Sequence, residues 1–159
     1  MKIIAASLKQ LVCDFADNHR QLTEEITTVK LDESKWTLKE IIGHLIDSAS
    51  NNHQRITRLQ LDEELHFPSY DNEKWLETEK WNLLGWPEIL NLFKYYNLYL
   101  SHLIEKVNPT CLKNRWLGRD RFGERIFSLE ELVTDYLRHF KEHLEHFETR
   151  LKDIHERKN

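Results

Sequence analysis

Three histidines in the sequence have the spacing that a metal site requires. His139 and His143 are four residues apart in a segment of helical periodicity, so their side chains are expected on the same helix face. Two imidazoles in that arrangement can bind one metal ion. His44 lies in another segment of helical periodicity and completes a three-histidine set if the two helices face each other. Three imidazoles with one position left open are typical of catalytic rather than structural zinc-type sites.

Further polar residues follow His44 on the same side of its predicted helix. Ser48, Asn51 and Arg55 form a polar column beside an apolar stripe, and such a column is costly to bury unless its groups are paired or ligated. We consider Asp47, Asn51 and Arg55 as candidate catalytic residues. Asp47 could orient a ligand imidazole or the nucleophile. Asn51 and Arg55 could position an anionic or carbonyl group, while an ion pair is the alternative role for Asp47 and Arg55.

Four long amphipathic helices are predicted to position these residues. Apolar residues recur every three or four positions over about Ile4–Val29, Trp36–Leu61, Pro87–Val107 and Ser128–His155. Thr37 with Glu40, and Ser128 with Glu131, have the spacing of a capping box at a helix start. The pattern predicts an all-α protein, a four-helix bundle with long connecting loops, as a single domain over residues 1–159.

The two long connections, residues 62–86 and 108–127, are rich in aromatic side chains. Connections longer than about 12 residues are usually functional or disordered, and aromatic content favours packed loops that wall a pocket at the end of the bundle. Residues 123–127 could form a short strand or a hairpin arm. For Tyr70, Asp71 and Trp75, packing of the loop over the bundle is the favoured interpretation.

Composition narrows the class of function. The chain has 27 acidic and 23 basic residues and a net charge of -4, which argues against a nucleic-acid surface. It contains no apolar stretch near the roughly 20 residues of a membrane helix. Two cysteines without a CxxC motif indicate a reduced, cytoplasmic protein. A small-molecule substrate is therefore expected, rather than a nucleic acid or a membrane.

The sequence around these residues resembles the DinB/YfiT-like metalloenzyme family. Residues 36–55 are similar to the family segment W-[ST]-x-x-E-x-x-x-H-L-x-D-S-x-x-N-x-x-x-R. Three further matches follow in the expected order: PSYD at 68–71 with Trp75, FGE at 122–124 with SLEEL at 128–132, and HFKEHLEH at 139–146. No single motif is highly specific, but four in order are, and together they cover almost the whole chain after about residue 30.

The resemblance implies a four-helix bundle with a divalent metal ion, Zn²⁺ or Ni²⁺, held by His44, His139 and His143. It also implies a homodimer, because the family often forms one. Family members include metal-dependent hydrolases and transferases that move a low-molecular-weight thiol onto electrophiles. This chain departs from the pattern at Glu142, where the family often has a second histidine. That departure leaves the three implied ligands intact.

The sequence leaves two questions open. A three-histidine metal site can activate either a water or a thiol, so hydrolase and thiol S-transferase both fit; we favour the transferase slightly, because the family members with a defined activity are transferases. The alternative is a non-enzymatic helical binding or stress-response module whose metal site is structural or vestigial. A structural metal would predict that chelation unfolds the bundle.

Overall fold

The computed structural model describes residues 1–120 and 123–158. In chain order its elements are α1 (Lys2–His19), α2 (Glu24–Thr27), α3 (Leu38–Arg58), β1 (Glu64–His66), α4 (Asn72–Glu79), α5 (Trp86–Glu105), β2 (Arg115–Asp120), β3 (Gly123–Ser128) and α6 (Leu129–Lys158). The long helices α1, α3, α5 and α6 form the bundle: α1 packs against α5, and α3 packs against both α5 and α6. The predicted four-helix bundle is confirmed.

The starts of α3 and α6 follow the predicted capping boxes. The Thr37 hydroxyl accepts a hydrogen bond from the Glu40 amide at 3.1 Å, and the Glu40 carboxylate accepts one from the Thr37 amide at 2.8 Å. Ser128 and Glu131 repeat the arrangement at 3.2 and 2.8 Å. Because these pairs satisfy amides that have no partner within a helix, the two helices that carry the histidines begin at sequence-defined positions.

The first helix is shorter than the periodicity predicts. The expected helix from about Ile4 to Val29 ends at His19, and the short α2 follows. The indole Nε1 of Trp86 donates a hydrogen bond to the His19 carbonyl at 2.9 Å. In a continuing helix, the His19 carbonyl would accept a hydrogen bond from an amide four residues later, and here the Trp86 indole bonds to it instead. A tertiary contact therefore overrides the helical periodicity of the sequence.

The two long connections contain more regular structure than expected. Residues 62–86 include β1 and α4, and residues 108–127 include β2 and most of β3. The strands form one sheet in the order β1-β2-β3, with β1 parallel to β2 and β2 antiparallel to β3. The register places Trp116 opposite Leu65 on one side and Phe127 on the other. The strand expected near residues 123–127 is therefore present, while β1, β2 and α4 were not predicted.

The core lies between the four long helices and contains many aromatic rings. Phe93 stacks on Phe140 with ring centroids 5.6 Å apart, and Phe15 meets Phe147 edge-on at 4.8 Å. None of the helices in the described part of the chain combines the length and apolar character that a bilayer-spanning segment needs.

Gly43 allows close packing next to the histidine cluster. A Cβ at this position of α3 would overlap the indole ring of Trp81. We expect Gly43→Ala to lower the free energy of unfolding by about 1 to 2 kcal/mol, because overpacking against a rigid ring outweighs the gain in helix propensity. Urea denaturation measures this change. Gln54→Ala, at an exposed position of the same helix, should change it by less than about 0.5 kcal/mol. Equal or higher stability of Gly43→Ala would contradict the packing described here.

Candidate metal centre

The structure brings His44 of α3 together with His139 and His143 of α6. One ring nitrogen from each residue lies within 4.8 Å of the others. The Nε2 atoms of His44 and His139 are 3.1 Å apart, and His143 lies 4.5 Å from each of the other two rings, centroid to centroid. His44 is buried, and the other two are half-buried. Side chains from two separate segments therefore converge on one point.

The donor set of this cluster fits a divalent cation. Two imidazole nitrogens about 2.1 Å from a tetrahedral zinc ion are about 3.4 Å apart, close to the spacing between His44 and His139. The Nδ1 atoms of His44 and His143 are buried and have no hydrogen-bond partner within the described residues. No other group of the described residues therefore competes for these rings, and the Nε2 atoms of His44 and His139 are left to face one another across the cluster.

The histidines of this cluster are uncharged at neutral pH. Burial, with smaller contributions from His143 and His139, lowers the pKa of His44 to about 2. Burial, with a contribution from His139, lowers the pKa of His143 to about 4. Burial also lowers the pKa of His139. Because metal ions bind the neutral imidazole, the cluster does not need to release protons before it takes up a cation at pH 7.

Trp36 covers one side of the cluster. Its ring stacks on His143 with centroids 6.1 Å apart and lies 5.1 Å from His44. The buried Arg150 donates a hydrogen bond to the Trp36 carbonyl, and the Trp36 indole donates one to Glu73 at 3.4 Å. Since the Nδ1 of His44 has no hydrogen-bond partner among the described residues, the His44 ring is held on that side by packing.

A cavity of about 730 Å³ opens beside the cluster. His44 and His139 are part of its wall, so a ligand in the cavity can reach a cation at the cluster. The wall also contains residues from the long connections and from α6: Ser69, Tyr70, Asp71, Asn72, Glu73, Trp116, Arg119, Arg125, Phe127, Leu132, Asp135 and Tyr136. The predicted role of the connections in walling a pocket is consistent with this arrangement.

Of the three candidate catalytic residues, the structure places only Arg55 in the cavity wall. Ser48, Asn52 and Arg55 line the cavity along α3, whereas Asn51 does not. The Asn51 amide is buried and donates to the Asp47 carbonyl of its own helix at 2.9 Å. The cavity lies toward the β2-β3 side of α3, so the residue that reaches it is Asn52, one position further along the helix.

Asp47 lies away from the cavity, against the end of α4. Its carboxyl group is buried beside Glu79 and Trp81, and its Oδ2 has no hydrogen-bond partner among the described residues. The orphaned Nδ1 of His44 shows that Asp47 does not orient this imidazole by a hydrogen bond. Burial, together with Glu79, raises the pKa of Asp47 to about 8. A catalytic role for Asp47 stays a prediction.

Tyr70 lines the cavity and packs within the loop that the sequence predicted to cover the bundle. Its ring lies 6.4 Å from His44 and 4.6 Å from Trp75, so the loop that carries it closes over the cluster. Burial raises the pKa of Tyr70, and the phenol therefore stays protonated as a hydrogen-bond donor. The position of Tyr70 in the PSYD motif was the available signal. Phe122, which belongs to another quoted motif, lies outside the described residues.

The buried carboxyl of Asp47 gives the stability of the metal-free protein a specific pH dependence. Its pKa is about 8 in the folded chain and near 4 in the unfolded chain, so the folded state binds an extra proton between these values. The stability that the protonated Asp47 carboxyl contributes is complete below about pH 4. It is lost as the pH rises to 8, by up to about 1.4 kcal/mol per pH unit. Asp47→Asn should remove this loss, so its stability relative to the parent should increase as the pH rises.

Urea denaturation between pH 5 and pH 8 measures this effect. Asp14→Asn, which changes an exposed aspartate of α1, is the matched control and should follow the parent curve. Parallel curves for Asp47→Asn and the parent would show that the folded-state pKa of Asp47 is not raised.

One solved structure shares the architecture over nearly the full chain. No protein-family profile and no curated protein matches the sequence. The chain is similar to YfiT from Bacillus subtilis, described as a probable metal-dependent hydrolase with an unusual four-helix bundle topology. The TM-score is 0.77 at 17% sequence identity, over 97% of this chain and 85% of that one. The four-helix bundle that the sequence motifs imply is thus the fold of this protein, and the same fold is found in YfiT.

Proposed function

We propose that this protein is a metal-dependent enzyme in which His44, His139 and His143 hold one divalent ion, Zn²⁺ or Ni²⁺. The observation that carries the proposal is the convergence of three neutral imidazoles beside a cavity of about 730 Å³, with His44 and His139 in its wall. Pockets for small-molecule substrates have volumes of about 300 to 1,000 Å³. Three protein ligands beside such a cavity leave a coordination position for a reactant.

A divalent cation bound by neutral ligands keeps its full charge and supplies the Lewis acidity that activates a water or thiol nucleophile at neutral pH. The protein's own residues shape the environment of the reactants. Trp36 and Tyr70 shield the cluster from solvent on two sides. The protonated Tyr70 phenol can donate a hydrogen bond to an oxygen of the substrate.

Between the two reaction types, we favour transfer of a low-molecular-weight thiol onto an electrophilic small molecule. The sequence resemblance supports this choice, because the family members with a defined activity are transferases. A cavity of about 730 Å³ has room for either reaction. A homodimer and a cytoplasmic location, which the resemblance and the cysteine content suggest, are part of the same proposal.

Removal of any one of the three histidines should abolish tight metal binding. We expect His44→Ala, His139→Ala and His143→Ala each to weaken binding of Zn²⁺ or Ni²⁺ by at least about 100-fold, because loss of a ligand costs more than loss of a group that supports one. Calorimetric titration and metal analysis of the purified proteins provide the measurement. His146→Ala is the matched control: His146 lies on the same helix, 6.1 Å from His143. Unchanged metal content in the three variants would refute the assignment.

The nucleophile can be identified by whether turnover needs a thiol. We expect the metal-loaded protein to conjugate a generic electrophile, 1-chloro-2,4-dinitrobenzene, when a bacterial low-molecular-weight thiol is supplied. The rate above the uncatalysed reaction should disappear in the metal-free protein and in His139→Ala. Turnover of ester or amide substrates without a thiol would instead establish a hydrolase. Absence of both activities, together with unfolding on chelation, would favour a structural metal.

A further inference from the structure

We propose that the part of the cavity around Arg55 binds an oxyanion of the substrate, a carboxylate or a phosphate. Arg55 lies on α3, eleven residues beyond His44. This inference rests on the proposed enzyme function, because it describes the substrate of that enzyme. It assigns to the cavity two ends with different chemistry, one for the reacting group and one for an anionic group.

Arg55 is a buried cation without an acidic partner. Only 8% of the residue is exposed, and it lines the cavity. Within residues 1–120 and 123–158, no hydrogen bond or ion pair involves its guanidinium, and its Nε is buried without a partner. Buried charges in proteins are normally paired. An unpaired guanidinium in a cavity wall therefore points to a partner that enters from the cavity.

Aromatic rings hold the Arg55 guanidinium in place. Its central carbon lies 4.3 Å from the ring centroid of Trp116 and 6.0 Å from that of Phe67. The Trp116 indole is itself fixed by a 2.7 Å hydrogen bond to the Phe67 carbonyl. A guanidinium that meets a ring through its face keeps the N–H groups of its edge for a carboxylate or phosphate, which it binds with two parallel hydrogen bonds.

None of the acidic residues in the cavity wall pairs with Arg55 in the described part of the chain, and each has another partner. Asp71 accepts a hydrogen bond from the Lys74 amide at 3.3 Å, and Asp135 forms an ion pair with Arg138 at 2.6 Å. Glu73 accepts a hydrogen bond from the Trp36 indole. These carboxylates are thus held by other groups, and the Arg55 guanidinium stays available to an anion in the cavity.

The geometry of α3 sets the shape of the substrate. Eleven residues of helix rotate Arg55 by only about 20° from His44 and separate the two Cα atoms by about 16 Å. Ser48 and Asn52 line the cavity between them. The substrate is therefore an elongated small molecule with the reacting group near the histidines and the oxyanion near Arg55.

Binding of simple anions to the metal-free protein tests this inference without the metal site. The probes are glutarate, inorganic phosphate and glutaramide, the uncharged diamide that matches glutarate. We expect glutarate, phosphate or both to shift the NMR signal of the Arg55 Nε–H on titration, and glutaramide to leave it unchanged. The responding anion identifies the oxyanion as carboxylate or phosphate. No shift with either anion would overturn the proposal. This titration uses the unmodified sequence, so it does not depend on whether a variant folds.

A pair of variants separates a specific site from general charge. Arg55→Gln should weaken binding of the responding anion at least tenfold. Arg58→Gln removes the same charge from an exposed position of the same helix and should change binding less than twofold. An equal loss in both variants, or no loss in Arg55→Gln, would overturn the proposal. Because the protein is metal-free in this experiment, its outcome is independent of the metal-binding result for the histidine variants.

Discussion

The burial of polar groups along the cavity side of α3 is the constraint on which the rest of the structure depends. Some of these groups are satisfied within the helix, as the Asn52 amide is by the Ser48 carbonyl at 2.9 Å. In the described part of the chain, the Nδ1 of His44 and the Nε of Arg55 have no hydrogen-bond partner, although each residue is more than nine-tenths buried. Unsatisfied buried polar groups cost free energy in the absence of a ligand. The fold therefore gives up stability at the two positions where we place the metal and the oxyanion.

The bundle and its connections have different tasks in this arrangement. The long helices α3 and α6 supply the histidines on a rigid frame that is closed by aromatic packing. The connections supply Tyr70, Trp116 and other parts of the cavity wall. They are bonded to each other, since the Ser69 hydroxyl donates to the Arg119 carbonyl, and to the end of α3, since the Asn114 amide donates to the Leu59 carbonyl at 2.7 Å. Changes in the connections can thus alter the cavity without moving the metal ligands.

The sequence predicted those features that local patterns determine. Capping boxes located the starts of α3 and α6, and helical spacing placed His139 and His143 on one face. The sequence did not predict the end of α1 at His19, because the His19 carbonyl accepts a hydrogen bond from Trp86, 67 residues away. The sequence also did not predict that Asn52 rather than Asn51 lines the cavity. The two side chains differ by about 100° around α3, and the side that is open depends on where the β2-β3 hairpin packs.

The positive charges at the two ends of the cavity affect each other through the low-dielectric interior. A divalent cation held by the histidines and the Arg55 guanidinium would repel each other, about four times more strongly at an effective dielectric constant of about 20 than in water. An anionic substrate between them is attracted by both charges and offsets this repulsion. A neutral substrate of the same shape gains neither attraction and leaves the repulsion in place. The pairing of a three-histidine cluster with an unpaired arginine therefore selects for substrate charge even before any contact at the reacting group is made.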